Sequence, residues 1–152
     1  MARRTRGPLK RVAAFWDASA LVPLCVNQGI TSQVMELYGI HKIVVWWTSR
    51  VEIASALARL VRMHQLSTVD YAKARKLARD LADSWSEIQP SDAIRTRASL
   101  LVDRYDLRAS DSLQLAAALE WCENAPMRRI LLTADNRLRE AALLCGFDTS
   151  KL

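Results

Sequence analysis

The chain has 152 residues, 51% of them hydrophobic and 25% charged, enough for one domain with a substantial core and an ordinary balance for a soluble globular fold. Its longest uncharged run, residues 18–35, contains Pro23, Asn27, Gln28 and Gly29 and makes a poor membrane span. The start, MARRTRGPLKR, lacks the apolar core of a secretory signal, so a cytoplasmic location is expected. Of the net charge of +6, Arg3, Arg4, Arg6, Lys10 and Arg11 supply +5, and residues 1–11 hold no acid. The rest of the chain is therefore close to neutral, and net charge alone argues for no nucleic-acid partner. Residues 1–11 are expected to form a basic, disordered tail, and residues 12–152 a single domain. The three cysteines, Cys25, Cys122 and Cys145, are odd in number and form no C-x-x-C. They read as reduced thiols, mostly buried, rather than a zinc site or a disulfide frame.

In chain order, VAAFW at 12–16 reads as a buried strand that stops at Asp17, where a helix-like run begins at once. A helix is expected at 31–38, then an apolar strand, IVVWW, at 43–47. Neighbouring strand residues point to opposite faces. One of Trp46 and Trp47 is thus expected in the core and the other against a helix, with core packing preferred to stacking on a nucleic-acid base. Residues 49–64 and 71–85 follow as helices; Tyr71, Ala74, Leu77, Ala78, Leu81 and Trp85 recur at helical spacing. A weak strand at 87–89, helices at 91–105 and 109–123, and the strand RILLT at 129–133 come next. A helix at 136–145 is closed by Gly146, and a short strand from Phe147 ends the chain. Strands alternating with helices predict an α/β fold with parallel strands and crossover helices.

Four carboxylates fall at strand C-ends or helix N-ends: Asp17, Glu52, Asp111 and Asp135. In a parallel sheet those ends share one side, where ligands bind. Each acid also has a structural explanation. Asp17 and Asp135 suit N-caps, Ser49-Arg50-Val51-Glu52 fits a capping box, and Asp111 complements a helix dipole. Together the acids are costly, since two carboxylates about 5 Å apart repel by about 3 kcal/mol at an effective dielectric of 20. An oxygen-only set of this kind suits Mg²⁺ or Mn²⁺, with Ser19 and Thr133 as supporting polar groups. The two histidines, His41 and His64, lie away from the acids, and neither a nucleophile elbow nor a phosphate loop is present.

The segments FWDASALV, TSRVEIASALARL, LRASDSLQLAAAL and LLTADNRL, in this order and spacing, resemble PIN-domain ribonucleases, and among them the VapC-like toxins of toxin–antitoxin pairs. The resemblance covers nearly everything from Phe15 to Leu152. It implies a three-layer α/β/α fold with a short, mostly parallel sheet, and a Mg²⁺- or Mn²⁺-dependent endoribonuclease. Asp17, Glu52, Asp111 and Asp135 would be its metal-binding and catalytic acids, Ser19 and Thr133 their polar support, and Arg108 a candidate phosphate contact. An RNA substrate, an antitoxin partner and a homodimer are implied too, with Met63 and Trp85 as candidate partner contacts. The chain departs from the family pattern at Ser112, where Ala is usual, and at Gln114, where His is common. Two other readings remain open: an aspartyl-phosphate receiver or phosphatase-like domain, although D-A-S follows the first strand where D-x-D is wanted, and a non-catalytic interaction module of the same fold.

Overall fold

The computed structural model describes residues 11–27 and 31–152. The tail assigned to residues 1–11 therefore lies outside the described residues, apart from Arg11. That arginine is well engaged. Its guanidinium donates to the carbonyls of Tyr38 and His41 and lies 4.9 Å from the centroid of the Tyr38 ring.

Twelve elements are formed by the described residues: β1 (Val12–Trp16), α1 (Ala18–Cys25), α2 (Thr31–Ile40), β2 (His41–Trp46), α3 (Ser49–Arg62), α4 (Thr68–Ala82), β3 (Ser86–Ile88), α5 (Asp92–Arg104), α6 (Ala109–Trp121), β4 (Ile130–Thr133), α7 (Asn136–Cys145) and β5 (Asp148–Lys151). The strands make one sheet in the order β3-β2-β1-β4-β5, and every pairing is parallel. The alternation of short apolar runs with amphipathic helices produces the expected three-layer α/β/α architecture.

The strand period decides which residues enter which layer. Phe15, Val44, Trp46 and Leu131 face one core, shared with α5, α6 and α7. Ala14, Trp16, Ile43, Val45 and Leu132 face the other, shared with α1 to α4. Central strands buried on both faces need continuous apolar runs, as VAAFW and IVVW supply. Ser112 ties the first layer together by donating its hydroxyl to the Ala98 carbonyl, linking α6 to α5. The serine thus supplies a helix–helix hydrogen bond that an alanine would lack.

Several boundaries differ from the sequence expectation. The fourth helix begins at Thr68, capped by the Ser67 hydroxyl on the Asp70 N–H, and ends at Ala82 rather than 85. The second strand ends at Trp46, so Trp47 is not a strand residue; it is 51% exposed. Its N–H donates to the Ile88 carbonyl, which holds the turn into α3. Trp85 packs partly buried against the second core, beneath the Arg50 guanidinium, whereas Met63 is exposed. The cysteines are free thiols, two buried and Cys145 partly so; burial pushes the Cys25 thiol up to about 11. Among the described residues no helix is long and apolar enough to cross a membrane.

Leu115, fully buried in α6, packs within the first core. Leu115→Ala is expected to destabilise the fold by about 2–5 kcal/mol, read from the shift in a urea unfolding curve.

Candidate functional site

The strand order creates the site. The chain leaves β1 toward β2 and β3 on one side, then returns to place β4 and β5 on the other. The carboxyl ends of β1 and β4 therefore flank the point where the winding reverses, the crevice in which open α/β sheets bind ligands. Asp17 follows β1 there, and its N–H donates to the Leu132 carbonyl at 2.9 Å. Thr133 ends β4, and Asp135 follows two residues later.

Asp17, Ser19, Thr133 and Asp135 meet in one hydrogen-bond network. Asp17 caps α1, accepting from the Ser19 N–H. The hydroxyls of Ser19 and Thr133 both donate to its Oδ2, the latter at 2.9 Å. Each hydroxyl oxygen in turn accepts a backbone N–H: Ser19 from Ala134 at 2.9 Å, Thr133 from Asp135 at 3.0 Å. Asp135 caps α7 through its Oδ1, 2.9 Å from the Leu138 nitrogen. The two caps expected from the sequence are thus formed, within the acid cluster rather than in place of it. All the protein donors to Asp17 land on Oδ2, and Oδ1 has none among the described residues.

Glu52 approaches from α3, in the opposite half of the crevice. The capping box expected from Ser49 to Glu52 does not form. Ser49 is buried inside the first turn with its hydroxyl unpartnered, and the N-cap position belongs to Thr48, which makes no side-chain cap. Instead the Thr48 hydroxyl donates to Glu52 Oε1. The amide nitrogen of Gln114, on α6, lies 3.1 Å from both Glu52 oxygens. Asp111 stands in the first turn of α6, and Arg108 at its N-cap position.

Electrostatics joins these pieces into one group. Burial pushes the Asp17 carboxyl above its ordinary value; the hydroxyls of Ser19 and Thr133 pull it down, and the nearby charge of Glu52 pushes it up again. Asp111 is raised as well, first by burial and then by the charges of Asp135 and Asp17, with Arg108 opposing. Asp17 thus feels Glu52, and Asp111 feels Asp135, Asp17 and Arg108. Among the described residues none of the four forms an ion pair. Nor, among the described residues, do three or more His, Cys, Asp or Glu side chains stand grouped so as to hold a metal ion. Asp17 is buried and the other three acids partly so, and one Asp17 oxygen has no donor among the described residues. That donor chemistry fits a hard divalent cation that keeps some of its water.

Two residues escaped the sequence reading of the site. Thr48 was hidden by the plausible alternative cap next to it. Gln114 stood out only as a departure from a family pattern, and its contact spans 62 positions of sequence.

No protein-family model and no curated protein matches the chain. Solved structures do resemble it. PAE2754 from Pyrobaculum aerophilum is 20% identical with a TM-score of 0.62, over 91% of this chain and 89% of that one. A toxin–antitoxin complex from Klebsiella pneumoniae contains a chain 18% identical with a TM-score of 0.56, over 82% of this chain and 88% of its own. At these identities the likeness is one of fold.

The raised Asp111 carboxyl has a consequence for stability. Its ordinary value is near 3.8 and its folded value is higher, so between the two the folded state binds more protons than the unfolded one. Stability then falls as pH rises from about 4 through the folded value and levels off above it. In metal-free buffer at pH 7.5, Asp111→Asn is expected to raise Tm by a few degrees. The advantage over the parent should shrink as the pH is lowered toward 4, as followed by thermal unfolding in chelator across that range.

Proposed function

We propose that the chain is a Mg²⁺- or Mn²⁺-dependent endoribonuclease of the PIN type, acting as the toxin of a toxin–antitoxin pair. The observation that carries this reading is that Asp17, Glu52, Asp111 and Asp135 sit at strand C-ends and helix N-ends, Asp17 feeling Glu52 and Asp111 feeling Asp17 and Asp135, without an ion pair among the described residues. Uncompensated carboxylates in a partly buried crevice are stabilised by a divalent cation, and a cation held there attracts a phosphate.

Asp17, Asp111 and Asp135 would hold the cation, Asp17 through the oxygen its hydroxyl partners leave open. Glu52 would complete the set or take the proton from an attacking water. A bound Mg²⁺ or Mn²⁺ supplies Lewis-acid stabilisation of the charge that develops on the phosphate. In the overall reaction water oxygen bonds to phosphorus and the bond to the 3′ oxygen breaks. A proton passes to that oxygen, giving a 5′-phosphate and a 3′-hydroxyl. Arg108, exposed beside Asp111, would meet a neighbouring phosphate.

The toxin reading draws on the fold neighbour that comes from a toxin–antitoxin complex. On that reading the chain acts in the cytoplasm as a homodimer, restrained by an antitoxin. The exposed Val51, Met63, Val69 and Leu77 on and beside α3 and α4 offer apolar surface for such a partner.

Single-stranded RNA incubated with the protein should be cut in Mn²⁺ and left intact in chelator. Asp17→Asn and Asp111→Asn should each lower the rate by about 100-fold or more, the loss expected when charge stabilisation at a phosphoryl centre is removed, while circular dichroism stays that of the parent. Undiminished cleavage by both variants would refute the assignment, and labelling of Asp17 by acetyl phosphate would support an aspartyl-phosphate domain instead.

A further inference from the structure

Gln114 is fully buried. Its amide nitrogen is shared between the two oxygens of Glu52 at 3.1 Å each, and its Oε1 has no partner. The orientation is fixed by chemistry: exchanging nitrogen and oxygen would set a carbonyl oxygen against two carboxylate oxygens. A buried amide that leaves its own acceptor unsatisfied to serve a carboxylate is costly in the fold. The contact also has a distinctive place. Glu52 rises from α3, whose Ile53 and Leu57 lie in one core, and Gln114 from α6, whose Leu115 to Ala118 lie in the other. The bridge thus crosses the carboxyl end of the sheet and joins the two helical layers above the acids. With the Thr48 hydroxyl on Oε1, Glu52 is gripped from both sides.

A neutral amide is well suited to that grip. A lysine or arginine at this position would neutralise Glu52 and compete with a cation, and a histidine would do so below its own titration point. The amide donates at every pH and adds no charge. We propose that Gln114 is a positioning residue of the acid cluster, holding the Glu52 carboxylate toward Asp17 while leaving its charge available to a divalent cation. The inference rests on the cation reading of the cluster given above.

Calorimetric titration of the full chain with Mn²⁺ alone tests it without reference to RNA. Gln114→Met keeps the volume and removes the donor; it should weaken Mn²⁺ binding by about 10-fold or more, the usual cost of losing a group that orients a metal-binding residue. Added to Glu52→Gln, the same change should weaken binding no further. Gln114→His restores a donor, so binding should recover at pH 8 and fall as the pH drops toward 6, where the imidazolium neutralises Glu52. Should the Met variant fail to fold, Gln114→Asn, which keeps the amide but withdraws the donor by one methylene, carries the test and should weaken Mn²⁺ binding likewise. Parent-like binding by Gln114→Met, equal weakening in the Glu52→Gln background, or a His variant with the parent's pH profile would overturn the positioning role and leave the cation reading standing. A parent that takes up no Mn²⁺ would overturn both.

Discussion

Like charges held together in a partly buried crevice are the constraint around which this molecule is arranged. Asp17 is buried and feels Glu52; Asp111 is half-buried and feels both Asp17 and Asp135. At an effective dielectric of 20, a pair of carboxylates about 5 Å apart repels by about 3 kcal/mol, a large share of the roughly 5–15 kcal/mol net stability of a domain. Such an arrangement survives because each acid is tied to the framework by neutral donors. Asp17 has two hydroxyls and a helix N-terminus, Asp135 a helix N-terminus, and Glu52 a hydroxyl and an amide. Hydrogen bonds from neutral donors stabilise an ionised carboxylate without cancelling its charge. None of the four acids pairs with a cation among the described residues, unlike the surface pairs Lys76–Asp80 and Arg95–Asp92.

On the proposed reading, capping and cation binding would be complementary for Asp17 and Asp135. An N-cap aspartate sits by necessity where a strand has just ended and a helix begins, and parallel topology collects those junctions on one edge. Asp135 spends Oδ1 on the Leu138 N–H, and Asp17 spends Oδ2 on its hydroxyls and on Ser19. Capping uses one oxygen of each carboxylate, and the other has no protein donor among the described residues. The same two residues therefore nucleate helices and define the geometry of the site.

Much of this was legible in the sequence, and the reasons are local. VAAFW, IVVW and ILLT are short apolar runs that a doubly covered strand requires, so the layers and their parallel order followed from alternation. Asp17, Asp135, Ser19 and Thr133 were legible because their contacts lie within or beside the strand–helix junctions. Less legible were the features set by packing across the fold. The Ser49–Glu52 spacing satisfied a local capping rule, but the helix starts one residue earlier in the turn geometry, burying Ser49 and giving Thr48 the contact with Glu52. Trp47 continued an apolar run, yet the ladder to β3 closes at Trp46 and Ile88, leaving the next side chain in solvent. Arg11 read as part of a charged tail, although its guanidinium finds two carbonyls and an aromatic face near the start of β2. Gln114 met no local rule at all. Its meaning lies in a partner on another helix across the sheet.

The balance between framework and site also bears on how closely the acids can approach one another. Three acids brought into direct contact would raise one another further and favour protonation over cation binding at neutral pH. Ser19, Thr133, Thr48 and Gln114 instead reach Asp17 and Glu52 as neutral donors, which stabilise charge without bringing the acids together. On the proposed reading, acids anchored but not neutralised would hold a small hard cation less tightly than a full cage and would leave coordination positions for an outside oxygen ligand, which chemistry on a phosphate requires.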